Sequence, residues 1–272
     1  MIRRSSFHDM RLLIAIIFIT NLSLAQGPVD GYLKGKGNLD LALSGFYQHS
    51  EKFYSGLGLI NYQRTLSGAT LFGEYGITES ADAIVSIPFI NDAFQDAAIF
   101  LKYRLFRKQL GDGFPLTIMP AVGATFPISN YPTQAGQSIG QRAVQIQPKL
   151  VLQFNTKAGI FIQAQSGYNY TLDPVPSSIP VSAKIGYAGK KLYSDFWFDY
   201  QKGLGDIIWS GGASIDFRTL HVSYSKIGGV IYYGIKPKIG IFVNGSYILS
   251  GINIGKAYSV GAGLVYKFDL KK

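Results

Sequence analysis

The C-terminal run from Tyr258 to Leu270 alternates with a period of two. Tyr258, Val260, Ala262, Leu264, Tyr266, Phe268 and Leu270 are apolar or aromatic. Ser259, Gly261, Gly263, Lys267 and Asp269 between them are small or polar, and only Val265 departs from the pattern. Successive side chains of a strand point to opposite faces, so this run is a strand with one oily and one wet face. An aromatic near its last turn makes it the expected closing strand of an all-β, closed antiparallel up-and-down transmembrane barrel.

The other end of the chain agrees. Arg3, Arg4 and Arg11 form a positive region, Leu12 to Thr20 a short apolar core, and Ser23 and Ala25 the small residues of a cleavage site before Gln26. A transmembrane helix would need about 20 apolar residues to cross about 30 Å of hydrocarbon, and this run is shorter. The expected organisation is therefore a signal peptide over 1–25, a short periplasmic N-terminal segment over 26–36, and an outer-membrane barrel over 37–272. The chain has no Cys, which excludes a disulfide framework and a lipid anchor on cysteine.

Charge could suggest a nucleic-acid partner. Of the formal +10, the signal carries a net +2 through Arg3, Arg4 and Arg11 against Asp9, so eight net positive charges stay with the mature chain. Those cations are dispersed rather than gathered in one stripe, and export argues against nucleic acid. A wet, weakly cationic lumen and cationic rims account for them better, and the 18 Tyr and 18 Phe suit aromatic girdles at both membrane interfaces.

Counting period-two runs predicts about fourteen strands, an even number as a barrel with both ends on one side requires. The runs begin with Leu39 to Tyr47, Leu71 to Ile77 and Ala83 to Phe89. The clearest internal one is Gln95 to Leu105, with Ala97, Ile99, Leu101, Tyr103 and Leu105 outward and Asp96, Lys102 and Arg104 inward. A register slip would put those charges in lipid, at about 2–4 kcal/mol for each cation near the midplane. Then come Leu116 to Phe126, Val144 to Phe154, Ile160 to Tyr170, and a hairpin of Val181 to Tyr187 with Leu192 to Tyr200. A second predicted hairpin pairs Trp209 to Phe217 with Leu220 to Tyr224. Val230 to Gly234, Ile239 to Leu249 and the closing strand complete the set. Merging the runs between Leu220 and Gly234 leaves twelve. Thr78 to Ser80, Asn155 to Ala158 and Gly189 to Lys191 then fall at the periplasmic side. His49 to Ser67 and Pro127 to Gly140 read as external loops, with Phe53 to Tyr62 able to extend the flanking strands. Pro120 and Pro148 interrupt good runs, so each marks a bulge or a broken pairing.

Catalytic chemistry finds little support. His8 leaves with the signal, His49 falls in a loop, and His221 shares a strand face with Ser223 but not the lipid face that a lipid-acting enzyme would use. No His, Cys and carboxylate cluster has metal-ligand spacing, and the glycines near Lys36 and Asp112 lack the strand–loop–helix setting of phosphate loops. No catalytic residue, metal or cofactor is expected.

The candidate site is the inward surface. Glu74, Asp96, Phe100, Lys102, Arg104, Lys149, Gln163, Gln165, Lys184, Asp195, Trp197 and Asp199 are predicted to line the lumen. Asp82, Asp216 and Arg218 share that phase, as do Gln145, Gln147 and Gln153, and Phe161 and Tyr193 join Phe100 and Trp197. Mixed charges can seal a lumen by pairing or line a wet passage. Aromatics among polar groups suit a moderately apolar small molecule, or simply fill volume.

Glu74-Tyr75-Gly76, Pro88, Asp96, Lys102-Tyr103-Arg104 and Pro127 occur in an order that resembles the outer-membrane transporter family labelled for the meta-pathway of phenol degradation. The resemblance covers Leu71 to Tyr170 well and the rest loosely. It implies an outer-membrane barrel for aromatic or other hydrophobic compounds, related in kind to the long-chain fatty acid and hydrocarbon transporters. Gln26 to Lys36 are too few for the N-terminal hatch of those larger relatives.

The function expected is passive passage of small, partly hydrophobic solutes, aromatic ones included, across the outer membrane of a Gram-negative-type bacterium. The alternative is a structural or surface-interaction protein with a lumen sealed by charge pairs. Expected partners are outer-membrane lipid, the small solute, and the barrel-assembly machinery acting through the C-terminal strand, with no nucleic acid.

Overall fold

The computed structural model describes residues 29–56, 58–110, 114–134, 137–211 and 214–270. The signal peptide expected over 1–25 and the turn around Asp112 lie outside the described residues. Among those described, the chain forms one antiparallel sheet of fifteen strand segments. In order these are β1 (Asn38–Ser55), β2 (Gly58–Gly76), β3 (Ala81–Ile90), β4 (Ala93–Phe94), β5 (Asp96–Tyr103), β6 (Phe106–Leu110), β7 (Phe114–Pro127) and β8 (Gln145–Asn155), followed by β9 (Ile160–Gly167), β10 (Tyr170–Thr171), β11 (Ser178–Ala188), β12 (Leu192–Gly203), β13 (Ser223–Lys236), β14 (Ile239–Ile252) and β15 (Ile254–Asp269). A 3-10 turn, Phe217–Thr219, precedes β13.

The sheet closes. β15 pairs with β1 from Asn38 opposite Asp269 onward, and the Leu270 N–H donates to Gly37 O at 2.8 Å. Neighbour pairs run continuously from β1 through β8 and on to β15, leaving twelve spanning strands once three short segments are joined to their neighbours. β4 turns back from β3 through Asn91 and Asp92, both at positive φ (42° and 66°), a conformation that Asn and Asp tolerate in a tight turn. β5 and β6 are one strand with a bulge: Lys102 faces Ala121 and Phe106 faces Ile118, so residues 103–105 oppose only Met119 and Pro120. β9 and β10 are likewise one strand, interrupted opposite Pro148, where only the Tyr168 N–H to Pro148 O bond (3.1 Å) remains. Both prolines therefore keep their pairing on one side and break it on the other, as residues without an N–H must.

The count is twelve, the alternative that the sequence allows, rather than about fourteen. Trp209 to Phe217 and Leu220 to Tyr224 do not form a hairpin. Trp209, Phe217 and Leu220 are buried against one another and Phe53, in the long connection from β12 to β13. β13 then starts at Ser223 and absorbs the run Val230 to Gly234. Asp216 and Arg218, expected inside the barrel, form an ion pair at 2.6 Å within that connection. The predicted loop from His49 to Ser67 is instead a tall hairpin, since β1 and β2 stay paired from Leu39–Tyr75 up to Ser55–Gly58 with one bulge.

The alternation holds through the regular strands, with Arg104 at the bulge between β5 and β6 as an exception. Leu43, Ile99, Leu101, Ile162, Ile185, Phe196, Ile231 and Leu264 are all exposed on the outer wall, while Glu74, Lys102, Gln163 and Trp197 are buried within. An apolar band facing outward around a polar interior inverts the arrangement of a water-soluble protein and matches a barrel solvated by lipid. Both described chain ends and the turns at 77–80, 156–159, 189–191 and 237–238 share one rim, here the near rim. The tall β1–β2 hairpin and the connections 128–144, 172–177 and 204–222 share the far rim.

Candidate functional site

The lumen is shaped first by glycine. Phe100 opposes Gly123, Phe161 opposes Gly186, and Trp197 opposes Gly228 in direct cross-strand register. A β-carbon at any of these glycines would overlap the facing ring. Each inward aromatic thus lies flat along the wall over a neighbour with no side chain, and the rings narrow the barrel without closing it. Lysines then sit over two of these rings: Lys149 Nζ is 4.9 Å from the Phe100 centroid and Lys226 Nζ is 5.5 Å from that of Trp197.

The near half of the lumen holds part of the N-terminal segment. Residues 26–36 are expected as a short periplasmic segment, and of these residues 29–34 pack inside the barrel. They are too few for a folded hatch, yet as an extended segment they fill space. Val29 and Leu33 pack with Ile84, Phe100, Met119 and Val151, inward apolar residues on adjacent strands. The Tyr32 ring meets Phe161 edge-on at 5.5 Å, and its hydroxyl lies 3.2 Å from Asn155 Oδ1. The Gly31 N–H donates to Gln163 Oε1 at 2.9 Å, and the Lys34 N–H to Asp82 Oδ2 at 2.9 Å. The sequence carried a signal for this contact: Ile84, Met119, Ala121 and Val151 are apolar at inward positions, where a simple water-filled pore would be polar.

Charge completes the joint. Lys102 Nζ lies 2.6 Å from Glu74 Oε1 and 2.7 Å from Asp30 Oδ1, and it also donates to Tyr32 O. Lys34 Nζ bridges Glu74 at 3.1 Å and Asp40 at 3.0 Å. Burial alone would raise the Asp30 carboxyl, but the Lys102 and Lys34 ammoniums outweigh it and hold it below the usual carboxylate range. Burial alone would lower Lys34, and Glu74, Asp30 and Asp40 together raise it instead.

Of the other predicted lining residues, Lys184 pairs with Asp195 at 3.1 Å, and Asp195 also accepts from the Tyr193 hydroxyl (2.7 Å) and the Val230 N–H (3.2 Å). Arg104 is not a lining residue. It follows β5 at the bulge and donates to Glu79 O (2.8 Å) and Ser80 Oγ (3.0 Å), clamping the near-rim turn. Asp96 is inward but works as an anchor at the far rim. It accepts from the Tyr131 hydroxyl at 2.7 Å and the Ala143 N–H at 3.2 Å, tying down the connection 128–144. Burial and then the Asp96 charge push the Tyr131 hydroxyl up, keeping it a donor.

The far rim is capped by two connections that the sequence reading treats separately. Gln134 bridges Asp216, the Phe217 N–H donates to Thr133 O at 2.8 Å, and the Gln141 amide donates to both Phe217 O and Leu220 O. Phe53, Tyr62, Trp209 and Phe217 form an edge-to-face cluster beneath, with Phe53–Trp209 at 5.3 Å and Tyr62–Trp209 at 5.0 Å. His221 and Ser223 do not act together. His221 Nδ1 lies 3.1 Å from Ile207 O, and Ser223 Oγ accepts from the Gly203 N–H.

Between cap and segment lies a cavity of about 190 Å³ lined by Gln145, Gln147, Lys149, Gln165, Asp199 and Tyr224, among others. Gln165, Ser182 and Asp199 on its wall form one cross-strand row over β9, β11 and β12 that continues past the cavity to Lys226 on β13. The structure thus brings Lys149, Gln165 and Asp199 to one site in the far half, and Glu74, Lys102 and Gln163 to another in the near half.

No protein-family model and no curated protein matches the chain. Solved structures do. The COG4313 outer membrane channel from Pseudomonas putida F1 superposes with a TM-score of 0.70 at 12% identity, over 90% of this chain and 100% of that one. The NanC porin follows at 0.56, also 12% identical, over 84% of this chain and 100% of the porin. The KdgM porin matches at 0.54 and 9% identity, over 84% and 99%. At these identities the likeness establishes the fold, which is that of outer-membrane channels and porins.

Proposed function

We propose that this chain is an outer-membrane β-barrel channel through which small, partly hydrophobic solutes, aromatic ones included, pass by passive diffusion. One observation carries the reading: a closed wall with an apolar exterior surrounds an interior that keeps a cavity lined largely by polar groups, between a short segment seated on inward apolar residues and two connections at the far rim. Twelve strands suit this, because about eight strands give an interior that side chains alone can fill, while 16 to 18 leave an open aqueous channel. The flat aromatics among amides support a solute with both a ring and polar groups. The proposal places the barrel in the outer membrane of a Gram-negative-type bacterium, exported by its signal and inserted by the assembly machinery through β15. Its fold-level neighbours are channels and porins, and this supports a conducting rather than an enzymatic role.

The test is conductance of the purified protein in planar bilayers, paired with swelling of liposomes by phenol and benzyl alcohol. Conductance and swelling are expected. A silent barrel, silent also after removal of residues 29–34, would sink the proposal.

The ion pairs around Lys102 favour a second reading, in which the lumen is permanently sealed and the far-rim connections act at the cell surface. That reading expects no conductance from either form.

A further inference from the structure

Three of the lumen lysines are neutralised: Lys34 by Asp40 and Glu74, Lys102 by Asp30 and Glu74, and Lys184 by Asp195. Lys149 and Lys226 are not. Among the described residues neither makes an ion pair, and each rests over an aromatic ring, Lys149 over Phe100 and Lys226 over both Trp197 and Tyr224. The rings support the ammonium groups from one side and leave their hydrogen-bond donors open. Asp199 alone acts electrostatically on both. It stands directly opposite Lys226 in register, shares the cavity wall with Lys149, and is also engaged by Lys184. Two unpaired cations against one carboxylate leave this part of the lumen positive.

The same cavity holds spare acceptors. Gln165 Oε1 and Asn169 Oδ1 are buried and have no hydrogen-bond partner, although the Asn169 amide nitrogen donates to Ser178 Oγ at 2.9 Å. Gln147 Nε2 is already committed to Thr125 Oγ1 and Gln145 Oε1, both at 2.8 Å. Buried polar atoms without partners are uncommon and call for something that completes them. Here the unmet needs are complementary: two cations with free donors, and two amide oxygens that require a donor.

Building on the channel reading above, we infer that the far half of the lumen carries a binding site for a small organic carboxylate that also bears hydroxyl groups. Its carboxylate lies between Lys149 and Lys226, and its hydroxyls donate to Gln165 Oε1 and Asn169 Oδ1. Asp199 keeps the two lysines apart and sets the affinity low enough for release, since a channel site must let its solute go. A phenolic acid and a sugar acid share this chemistry, and the Tyr224 ring on the cavity wall favours the phenolic one.

The test measures binding on the detergent-solubilised full-length protein, so it does not depend on conduction. The Trp209→Phe variant leaves Trp197, under Lys226, as the only indole reporter. Titration with 4-hydroxybenzoate is expected to change its emission with saturation, and D-glucuronate to do so more weakly. Neutral 4-hydroxybenzyl alcohol is expected to bind at least about tenfold less tightly, the equivalent of one charge-assisted hydrogen bond. Lys149→Gln and Lys226→Gln should each erase that preference for the charged ligand, and Asp199→Asn should tighten carboxylate binding. Glucuronate binding better than 4-hydroxybenzoate assigns the site to sugar acids and keeps the carboxylate site. Equal binding of the neutral alcohol, absence of saturation with either acid, or indifference to both lysine substitutions would overturn it. A protein that binds but does not conduct removes the channel reading and keeps the site; one that conducts without saturable binding does the reverse.

Discussion

Lys102 on the wall and Asp30 on the N-terminal segment meet at 2.7 Å inside the lumen, where the Lys102 side chain is fully buried and Asp30 keeps 35% of its own open to solvent. The two residues therefore weigh differently. Removing the charge of Asp30 (Asp30→Asn) leaves Lys102 its contact with Glu74, so the barrel stays folded while the segment loses its main tether. Single-channel conductance should rise severalfold, approaching that of a protein lacking residues 29–34. Lys102→Met instead takes from buried Glu74 its nearer countercharge, leaving Lys34 at 3.1 Å, and should cost up to about 3–5 kcal/mol of barrel stability. It is read as a lower temperature for the heat-induced mobility shift in gels.

The same joint should respond to acid. Asp30 titrates below its usual range when docked, so the docked segment binds fewer protons than the released one, and falling pH favours release. The Asp30 contribution is complete above the ordinary carboxylate pKa of about 4 and is lost progressively below it. Lys34 is raised, so its contribution is complete below about 10.5, the ordinary lysine range, and lost in stronger alkali. Conductance should climb below about pH 4. Asp30→Asn should flatten the acid limb, and an unchanged limb in that variant would remove Asp30 from the explanation.

How much of this was legible beforehand follows the physics of each part. The phases of β5 and β15 were readable because lipid outside and water inside impose an alternation that one slip would ruin, and Lys102 and Leu264 fell on the correct faces. The lumen residues were readable for the same reason, but not their grouping, because register between distant strands is set by closure rather than by local pattern. Twelve and fourteen strands both fit the sequence because the spacing of Trp209 and Phe217 imitates a strand while their burial comes from Phe53, more than 150 residues earlier in the chain. Arg104 was misplaced because a bulge at residues 103–105 shifts the alternation by one. The seat of residues 29–34 is written only indirectly, in the apolar inward residues Ile84, Met119 and Val151 that receive them.

Gly228 offers a direct test of how the wall holds its aromatics. A side chain there would overlap both the Trp197 ring and the backbone of Gly245, so neither a rotamer change nor a small shift gives room. Gly228→Val should cost about 1–3 kcal/mol from overpacking and push the indole into the lumen. The expected outcome is reduced conductance with altered Trp197 emission. Gly245→Ala, where the nearest atoms stand at ordinary contact distance (3.6 Å), should leave both unchanged.

Asn253 is the knot of the far-rim cap. It joins β14 to β15 with φ at 57°, and its side chain accepts from the Trp209 N–H at 2.9 Å while donating to Ile207 O and His221 O, both at 2.8 Å. One residue thus holds both ends of the connection 204–222 against the strand tips. Two effects are separable by choice of substitution. Asn253→Gly keeps the left-handed conformation easily and deletes only the three hydrogen bonds, each worth about 0.5–1.5 kcal/mol net, with more lost where a buried group stays unpaired. Asn253→Ala deletes the same bonds and adds the cost of placing a β-carbon at positive φ. Cleavage of the connection by added protease should therefore quicken in the order native, Asn253→Gly, Asn253→Ala, while the heat-induced mobility shift of the barrel moves little. If the glycine variant resists protease as well as the native chain, the cap is held by the Phe53–Trp209–Phe217 cluster, and Asn253 only turns the strand.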